Sequence, residues 1–169
     1  AGEQWQGLLN LRGLFSPADY TKERGFYLAT PYDREKIPLI LIHGLASTPS
    51  SFRDMFAELQ RDPKIWDRYQ FWFYLYPTGD PWLATAANFR QDLRELVTAL
   101  DPEHDDPQLH NMEVAGHSMG GLITRASISH NSKALYDGYF QKDIDQLGLT
   151  RSEEAQLRSI LLYDPIPWP

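Results

Sequence analysis

The stretch that decides the fold is MEVAGHSMGGLITR, residues 112–125. A short apolar run leads into Gly-His-Ser-Met-Gly-Gly, and apolar residues at helical spacing follow. Residues 116–120 have the form Gly-x-Ser-x-Gly, in which a serine hydroxyl projects from a tight turn between a strand and a helix. Glycines two residues before and after the serine avoid collisions with the neighbouring backbone. We therefore interpret Ser118 as a nucleophile; the alternative is an ordinary serine in a glycine-rich turn.

Two further apolar runs, in residues 39–42 (LILI) and 71–77 (FWFYLYP), precede this stretch. Runs that are apolar on both faces are typical of strands inside a parallel sheet. Each run is followed by apolar residues at helical spacing, in residues 52–59 and 86–100. The alternation predicts an α/β fold, a three-layer sandwich in which a mostly parallel sheet has helices on both faces.

Three more segments have apolar residues at helical spacing, in residues 5–15, 136–147 and 157–161. The last of these follows TRSE, which has the pattern of a capping box that starts a helix. No strand is evident after the serine turn. We predict a single domain over residues 1–169, in which residues 132–169 form a lid-like insertion.

The composition excludes several classes of function. The chain of 169 residues has 16 Lys and Arg against 23 Asp and Glu, a formal charge of −7, which argues against a nucleic-acid partner. There is no cysteine, so disulfides and cysteine-ligated metals are excluded. No apolar run approaches the roughly 20 residues needed to span a bilayer. We interpret the acidic stretch DPEHDDP as a solvated loop rather than a cation site, and we predict no metal and no cofactor.

A second feature supports a site for acyl chemistry. The sequence His43-Gly44-Leu45 closes the first apolar run. Because the carboxyl ends of parallel strands meet at one edge of a sheet, the loop at Leu45 is expected opposite the start of the helix after Ser118. The backbone N–H groups of Leu45 and Met119 would then form an oxyanion hole, with Ala46 as the nearest alternative to Leu45.

Together, IPLILIHGLAS and VAGHSMGG resemble the α/β-hydrolase superfamily, in particular its bacterial lipase- and esterase-like members. The resemblance covers roughly residues 36–129, which correspond to the N-terminal portion of that fold. It implies a serine hydrolase of carboxylic esters, with a small-molecule or lipid ester as substrate and a membrane surface as a further partner. It also suggests a location in the bacterial cell envelope or outside the cell.

The same resemblance assigns roles to individual residues. Ser118 corresponds to the nucleophile, and Leu45 and Met119 correspond to the oxyanion donors. The nucleophile elbow is completed by Gly116, His117 and Gly120. His43 and His117 match positions that are structural or shape the pocket in this superfamily.

A serine nucleophile needs a base, and in this superfamily an acid and then a histidine follow the serine along the chain. Only His130 follows Ser118, and a continuous helix would place it about 18 Å away. Asp164 lies at the end of a predicted helix and is followed by no histidine. We therefore expect the triad acid and histidine to be absent from this sequence, which we interpret as the N-terminal part of a longer hydrolase.

Two other functions are compatible with the sequence. A thioesterase, an amidase or an acyltransferase would use the same elbow and the same nucleophile. A non-catalytic, hydrolase-like module that binds a lipid or a protein is favoured by the missing histidine. The intact elbow argues against such a module, which has no need of a strained serine.

Overall fold

The computed structural model describes residues 24–130 and 133–166. Four strands form one sheet: β1 Gly25–Leu28, β2 Ile37–Ile42, β3 Tyr69–Leu75 and β4 Glu113–Gly116. Their order is β1-β3-β2-β4, in which β2 is parallel to both β3 and β4, and β1 is antiparallel to β3. The predicted α/β class with a mostly parallel sheet is confirmed.

Six α-helices are described: α1 Arg53–Leu59, α2 Pro63–Arg68, α3 Trp82–Leu100, α4 Met119–Ile128, α5 Ala134–Tyr139 and α6 Arg151–Leu161. Short 3-10 helices lie at Pro49–Phe52, Leu109–Asn111 and Ile144–Gln146. Within these described ranges, none of the helices combines the length and apolarity required to cross a bilayer.

The sheet buries side chains on both faces, because successive residues of a strand point to opposite sides. The first cluster joins the sheet to α3 and α4 and includes Ile40, Ile42, Trp72, Tyr74, Phe89 and Ile123. The second joins the sheet to α1 and includes Leu41, Phe71, Phe73 and Phe56. The aromatic run of β3 is therefore core, as its sequence indicated.

The strand register aligns the ends of the three parallel strands. Ile42 of β2 pairs with Tyr74 of β3 on one side and with Gly116 of β4 on the other. The segments that follow these strands therefore start from one edge of the sheet. In the described part of the chain, β4 pairs only with β2, and no strand follows it.

Two elements near the sheet were not predicted from the sequence. They are β1, which has only four residues, and α2, which has six and contains the half-buried Ile65 and Trp66. The predicted loop after β2 contains the 3-10 helix at Pro49–Phe52. Met55 is one of the apolar residues at helical spacing in residues 52–59, but it is 40% exposed because it lies at the edge of the apolar stripe that Phe52 and Phe56 define.

The prediction of one helix over residues 136–147 is wrong. Helix α5 ends at Tyr139, Phe140 adopts an extended backbone, and the chain folds back so that Tyr136 donates a hydrogen bond to the carbonyl of Lys142. The apolar residues meet across this bend rather than along one helix. A cluster of Tyr136, Ile144 and Leu161 results.

The capping box at the start of α6 is confirmed, because Thr150 and Glu153 make both of its reciprocal hydrogen bonds. The predicted helix over residues 5–15 lies outside the described residues. The single domain over residues 1–169 and the lid-like role of residues 132–169 stay predictions.

The acidic stretch is only in part the solvated loop that its composition indicated, because residues 102–105 and 107 are exposed but two of its carboxylates are not. Asp101 and Asp106 are buried, and the backbone N–H of Asp106 donates to the Asp101 carboxylate at 3.0 Å. This bond holds the pKa of Asp101 below its usual value. Tyr32 donates a hydrogen bond to Asp106, and Arg34 forms an ion pair with Asp105. Carboxylates that satisfy nearby backbone N–H groups order this connection into β4.

Candidate functional site

The turn at Ser118 joins β4 to α4 through a strained backbone. Strand β4 ends at Gly116, α4 begins at Met119, and Ser118 has φ 54° and ψ −118°. An L-residue in this sparsely populated region costs about 1–3 kcal/mol and persists only where the surrounding structure enforces it. The strand, tight turn and helix expected around the serine are therefore observed.

Two glycines allow the turn to close. A Cβ on Gly116 would lie 2.4 Å from the carbonyl carbon and oxygen of Gly120. A Cβ on Gly120 would lie 2.1 Å from the carbonyl oxygen of Ile42, which belongs to the neighbouring strand β2. By contrast, a Cβ on Gly121 would meet its nearest neighbour at 3.5 Å, an ordinary contact. The turn thus requires glycine at 116 and 120, where the Gly-x-Ser-x-Gly pattern has it.

The side chain of Ser118 is exposed, and so is that of the adjacent His117. No residue in the described ranges forms a hydrogen bond with the Ser118 hydroxyl. The preceding strand β4 is the outermost of the described strands on its side of the sheet, and Ala115 and Gly116 are exposed as well. A small molecule in solution can therefore reach the hydroxyl.

The loop after β2 lies against the serine turn. A Cβ on Gly44 would lie 3.1 Å from the Cβ of Ser118 and 3.1 Å from Nδ1 of His117. The backbone N–H of His117 donates to the carbonyl of Ile42 at 2.9 Å, which fixes the two segments together. No role of Gly44 was predicted from the sequence; the glycine of the His-Gly-Leu sequence was the signal for this close approach.

The two expected oxyanion donors are next to this contact along the chain, since Leu45 follows Gly44 and Met119 follows Ser118. The turn hydrogen bonds are made by the N–H groups of Gly120 and Gly121, and no described residue accepts one from the N–H of Met119 or Leu45. Met119 is the first residue of α4, where N–H groups lack intrahelical acceptors and the helix dipole favours negative charge. Leu45 is 63% exposed, so it is not a core residue packed over the sheet.

His43 is a buried structural residue. Its ring stacks on Tyr76 with centroids 4.3 Å apart, and its Nδ1 lies 3.1 Å from the carbonyl oxygen of Gly44. The Tyr76 hydroxyl donates to the carbonyl of His43 at 2.6 Å. Burial lowers the pKa of His43, and its Nε2 is enclosed without a partner among the described residues. A neutral, stacked imidazole of this kind fixes the end of β2.

Three other histidines, His104, His110 and His130, form no hydrogen bond with the serine. His104 and His110 lie in the connection that leads into β4, at the opposite edge of the sheet from Ser118. His130 lies beyond the end of α4, a helix of ten residues that spans about 15 Å. Among the described residues, no group of three or more His, Cys, Asp or Glu could hold a metal ion.

Comparisons with protein-family models, with curated proteins and with solved structures found no match. What the site can do chemically therefore follows from its own geometry. It offers an exposed hydroxyl on a strained turn beside a glycine loop, and an N–H at a helix start that no described residue accepts. Such an arrangement suits attack on a carbonyl, provided that a base reaches the hydroxyl.

Proposed function

We propose that this protein has an α/β-hydrolase fold and hydrolyses carboxylic esters through an acyl-enzyme on Ser118. The observation that carries the proposal is the backbone of Ser118, with φ 54° and ψ −118° between a parallel strand and a helix. A strained serine in a turn closed by Gly116 and Gly120 is the arrangement of a nucleophile elbow. A serine that only packed or capped a helix would not need this strain.

The oxyanion hole is formed by the N–H groups of Leu45 and Met119. Support comes from the closeness of Gly44 to Ser118, which brings the loop after β2 to the turn after β4. Neither N–H is used by a described residue. Each such donor typically contributes roughly 3–4 kcal/mol of transition-state stabilisation.

In the reaction, the Oγ of Ser118 forms a bond to the acyl carbonyl carbon while a general base takes its proton. The tetrahedral oxyanion collapses, the ester C–O bond breaks, and the alcohol leaves with a proton. Water then attacks the acyl-enzyme, which releases the acid and restores the hydroxyl. The base comes from outside the described residues, because none of their histidines bonds to Ser118.

Imidazole in solution tests the ester assignment, since the exposed Ser118 is open to an external base. The folded chain is mixed with p-nitrophenyl butyrate and millimolar imidazole, and the butyryl adduct is measured by intact mass. We expect acylation that depends on imidazole and is absent in Ser118→Ala. A butyryl thioester and a butyryl anilide are run in parallel, and preferred acylation by either one would replace the ester assignment with a thioesterase or an amidase.

One observation favours a second candidate, a non-catalytic module that binds a lipid or a protein. No described residue hydrogen bonds to the Ser118 hydroxyl, so the serine has no visible activation. Equal, slow acylation of wild type and Ser118→Ala in the presence of imidazole would favour this module over a hydrolase.

A further inference from the structure

Strand β4 leaves one side of the described sheet open. Glu113, Ala115 and Gly116 are exposed, although the strands of a parallel sheet are normally covered. Strand β1, which is outermost on the other side, differs, because each of its residues is buried or half-buried. An exposed strand edge is a template for pairing with another chain.

The backbone of β4 shows which groups face this open side. The N–H of His117 donates to the carbonyl of Ile42 in β2. Because alternate residues of a strand turn their N–H and C=O groups to opposite sides, those of Val114 and Gly116 point away from β2. No strand in the described ranges pairs with them. Both residues therefore offer an N–H and a C=O group to a neighbouring strand.

These groups are complementary to those of a second copy of the chain. A two-fold axis perpendicular to the sheet places two such edges side by side as antiparallel strands. With Ala115 on the axis, Val114 of each copy lies opposite Gly116 of the other, and the two residues exchange their hydrogen bonds. The small Ala115 side chains then meet at the axis, where they permit the close approach of a non-hydrogen-bonded pair.

The charged and polar side chains beside the axis favour this register. It places Glu113 of one copy opposite His117 of the other, on the same face of the joined sheet. The Tyr69 hydroxyl donates to Oε1 of Glu113 at 2.9 Å, and no described residue bonds to Oε2. An imidazole N–H can donate to this oxygen. A register with Val114 on the axis would instead place Glu113 opposite Ala115 and lose the contact.

Helix α4 adds apolar surface beside the edge. It packs on β4 and follows this strand in the chain. Leu122 and Ile128 of this helix are 51% and 47% exposed. A two-fold axis perpendicular to the sheet keeps the same face on the same side in both copies. The two α4 helices and their exposed apolar residues would therefore lie on one face of the joined sheet.

We propose that this chain forms a two-fold dimer through β4, in which the two sheets join into one. The dimer goes beyond the proposed function and does not depend on the chemistry of Ser118. The pairing ends at His117, so the strained serine follows the paired residues. Because the paired strands are short, we expect a weak dimer that depends on concentration rather than an obligate one.

Sedimentation velocity over a range of concentrations measures the dimer directly. The experiment uses about 0.15 M salt, which screens the repulsion between two chains of charge −7. We expect the dimer fraction to rise steadily with concentration up to about 0.5 mM. A chain that stays monomeric over this whole range would overturn the proposal.

Ala115→Lys tests the position of the axis. Two ammonium groups would lie opposite each other there, and we expect the dimer to weaken about tenfold or more. Ala99→Lys is the matched control, since Ala99 is exposed on α3 and not on the edge strand. Equal dimerisation of the two folded variants would contradict pairing through β4.

Single cysteines test the register. The chain has no cysteine, so each variant carries one thiol. Cα atoms of a non-hydrogen-bonded pair lie about 4.5 Å apart, within reach of a disulfide. Ala115→Cys should therefore oxidise to a covalent dimer much faster than Ala99→Cys or Val114→Cys. Equal rates for Ala115→Cys and Ala99→Cys would overturn the dimer, and faster cross-linking of Val114→Cys would overturn the register.

The dimer and the chemistry of the serine can fail separately. Ser118→Ala should dimerise as wild type does, because the pairing ends at His117. A chain that acylates Ser118 but never dimerises would overturn the dimer and leave the proposed function intact. A dimer whose Ser118 is never acylated would do the reverse.

Discussion

Strands β2 and β4 end side by side, and the residues that follow them have opposite characters. After β2, His43 is fully buried, stacked on Tyr76 and held by hydrogen bonds. After β4, His117 and Ser118 are exposed, and Ser118 carries a strained backbone. The rigid end of β2 supports the strained end of β4, because Gly120 of the serine turn lies directly on the carbonyl oxygens of Ile42 and His43.

The largest expected effect on stability comes from a substitution that pushes the serine turn away from the end of β2. In Gly120→Ala, the new Cβ would lie 2.1 Å from a backbone oxygen of β2, which cannot move without disturbing the sheet. We expect a loss of about 3 kcal/mol in the free energy of unfolding, measured by urea denaturation. Gly121→Ala is the matched control; its Cβ meets only an ordinary contact, and alanine suits a helix better than glycine by about 1 kcal/mol. Equal stability of the two variants would show that the contact does not hold the turn.

The second effect concerns the strain itself. Ser118→Gly should raise the free energy of unfolding by about 1 kcal/mol, because relief of about 1–3 kcal/mol of strain exceeds the entropy cost of glycine. Ser129→Gly, just after α4 at φ −96°, should instead lower it by about 0.5–1 kcal/mol. Thermal unfolding of both variants makes the comparison, and a destabilised Ser118→Gly would contradict a strained turn.

The third effect is the pH dependence of the buried strand end. Burial lowers the pKa of His43 in the folded protein, so the unfolded chain takes up this proton first as the pH falls below about 6.5. The free energy of unfolding that depends on neutral His43 is fully present above that pH. Below it, this contribution falls by at most about 1.4 kcal/mol per pH unit. His43→Asn should reduce the slope of unfolding free energy against pH in this range. An unchanged slope in the folded variant would show that His43 is not the group responsible.

The smallest effect tests whether the rigid end supports the chemistry. Tyr76→Phe removes the hydrogen bond to the carbonyl of His43 and should cost about 1 kcal/mol of stability. It should also slow imidazole-dependent acylation of Ser118, because the loop of Gly44 is less well fixed. Tyr136→Phe removes a hydrogen bond of the same 2.6 Å length near α5. That control should lose similar stability with no change in acylation.

The sequence was most informative where local and tertiary requirements coincide. The apolar run before Gly116, the two glycines and the helical pattern after Met119 all demand one structure, and the turn was predicted down to the strained serine. The buried strands β2 and β3 were equally clear, since both of their faces are apolar and both are covered.

Other features depended on contacts that no local pattern reveals. Asp101 and Asp106 look like solvent-exposed residues in the sequence, but Tyr32 and nearby backbone N–H groups bury them. Strand β1 has only four residues, and its place beside β3 follows from pairing across the sheet.

The most direct test is covalent labelling of the 169-residue chain with a fluorophosphonate, read by intact mass with and without imidazole. Ser118→Ala is the control, and circular dichroism confirms that both chains are folded. We predict one adduct that forms with imidazole and is absent in Ser118→Ala. No adduct on the folded wild type with imidazole would contradict Ser118 as a nucleophile. Rapid labelling of Ser118 without imidazole would show that a base within the chain reaches it.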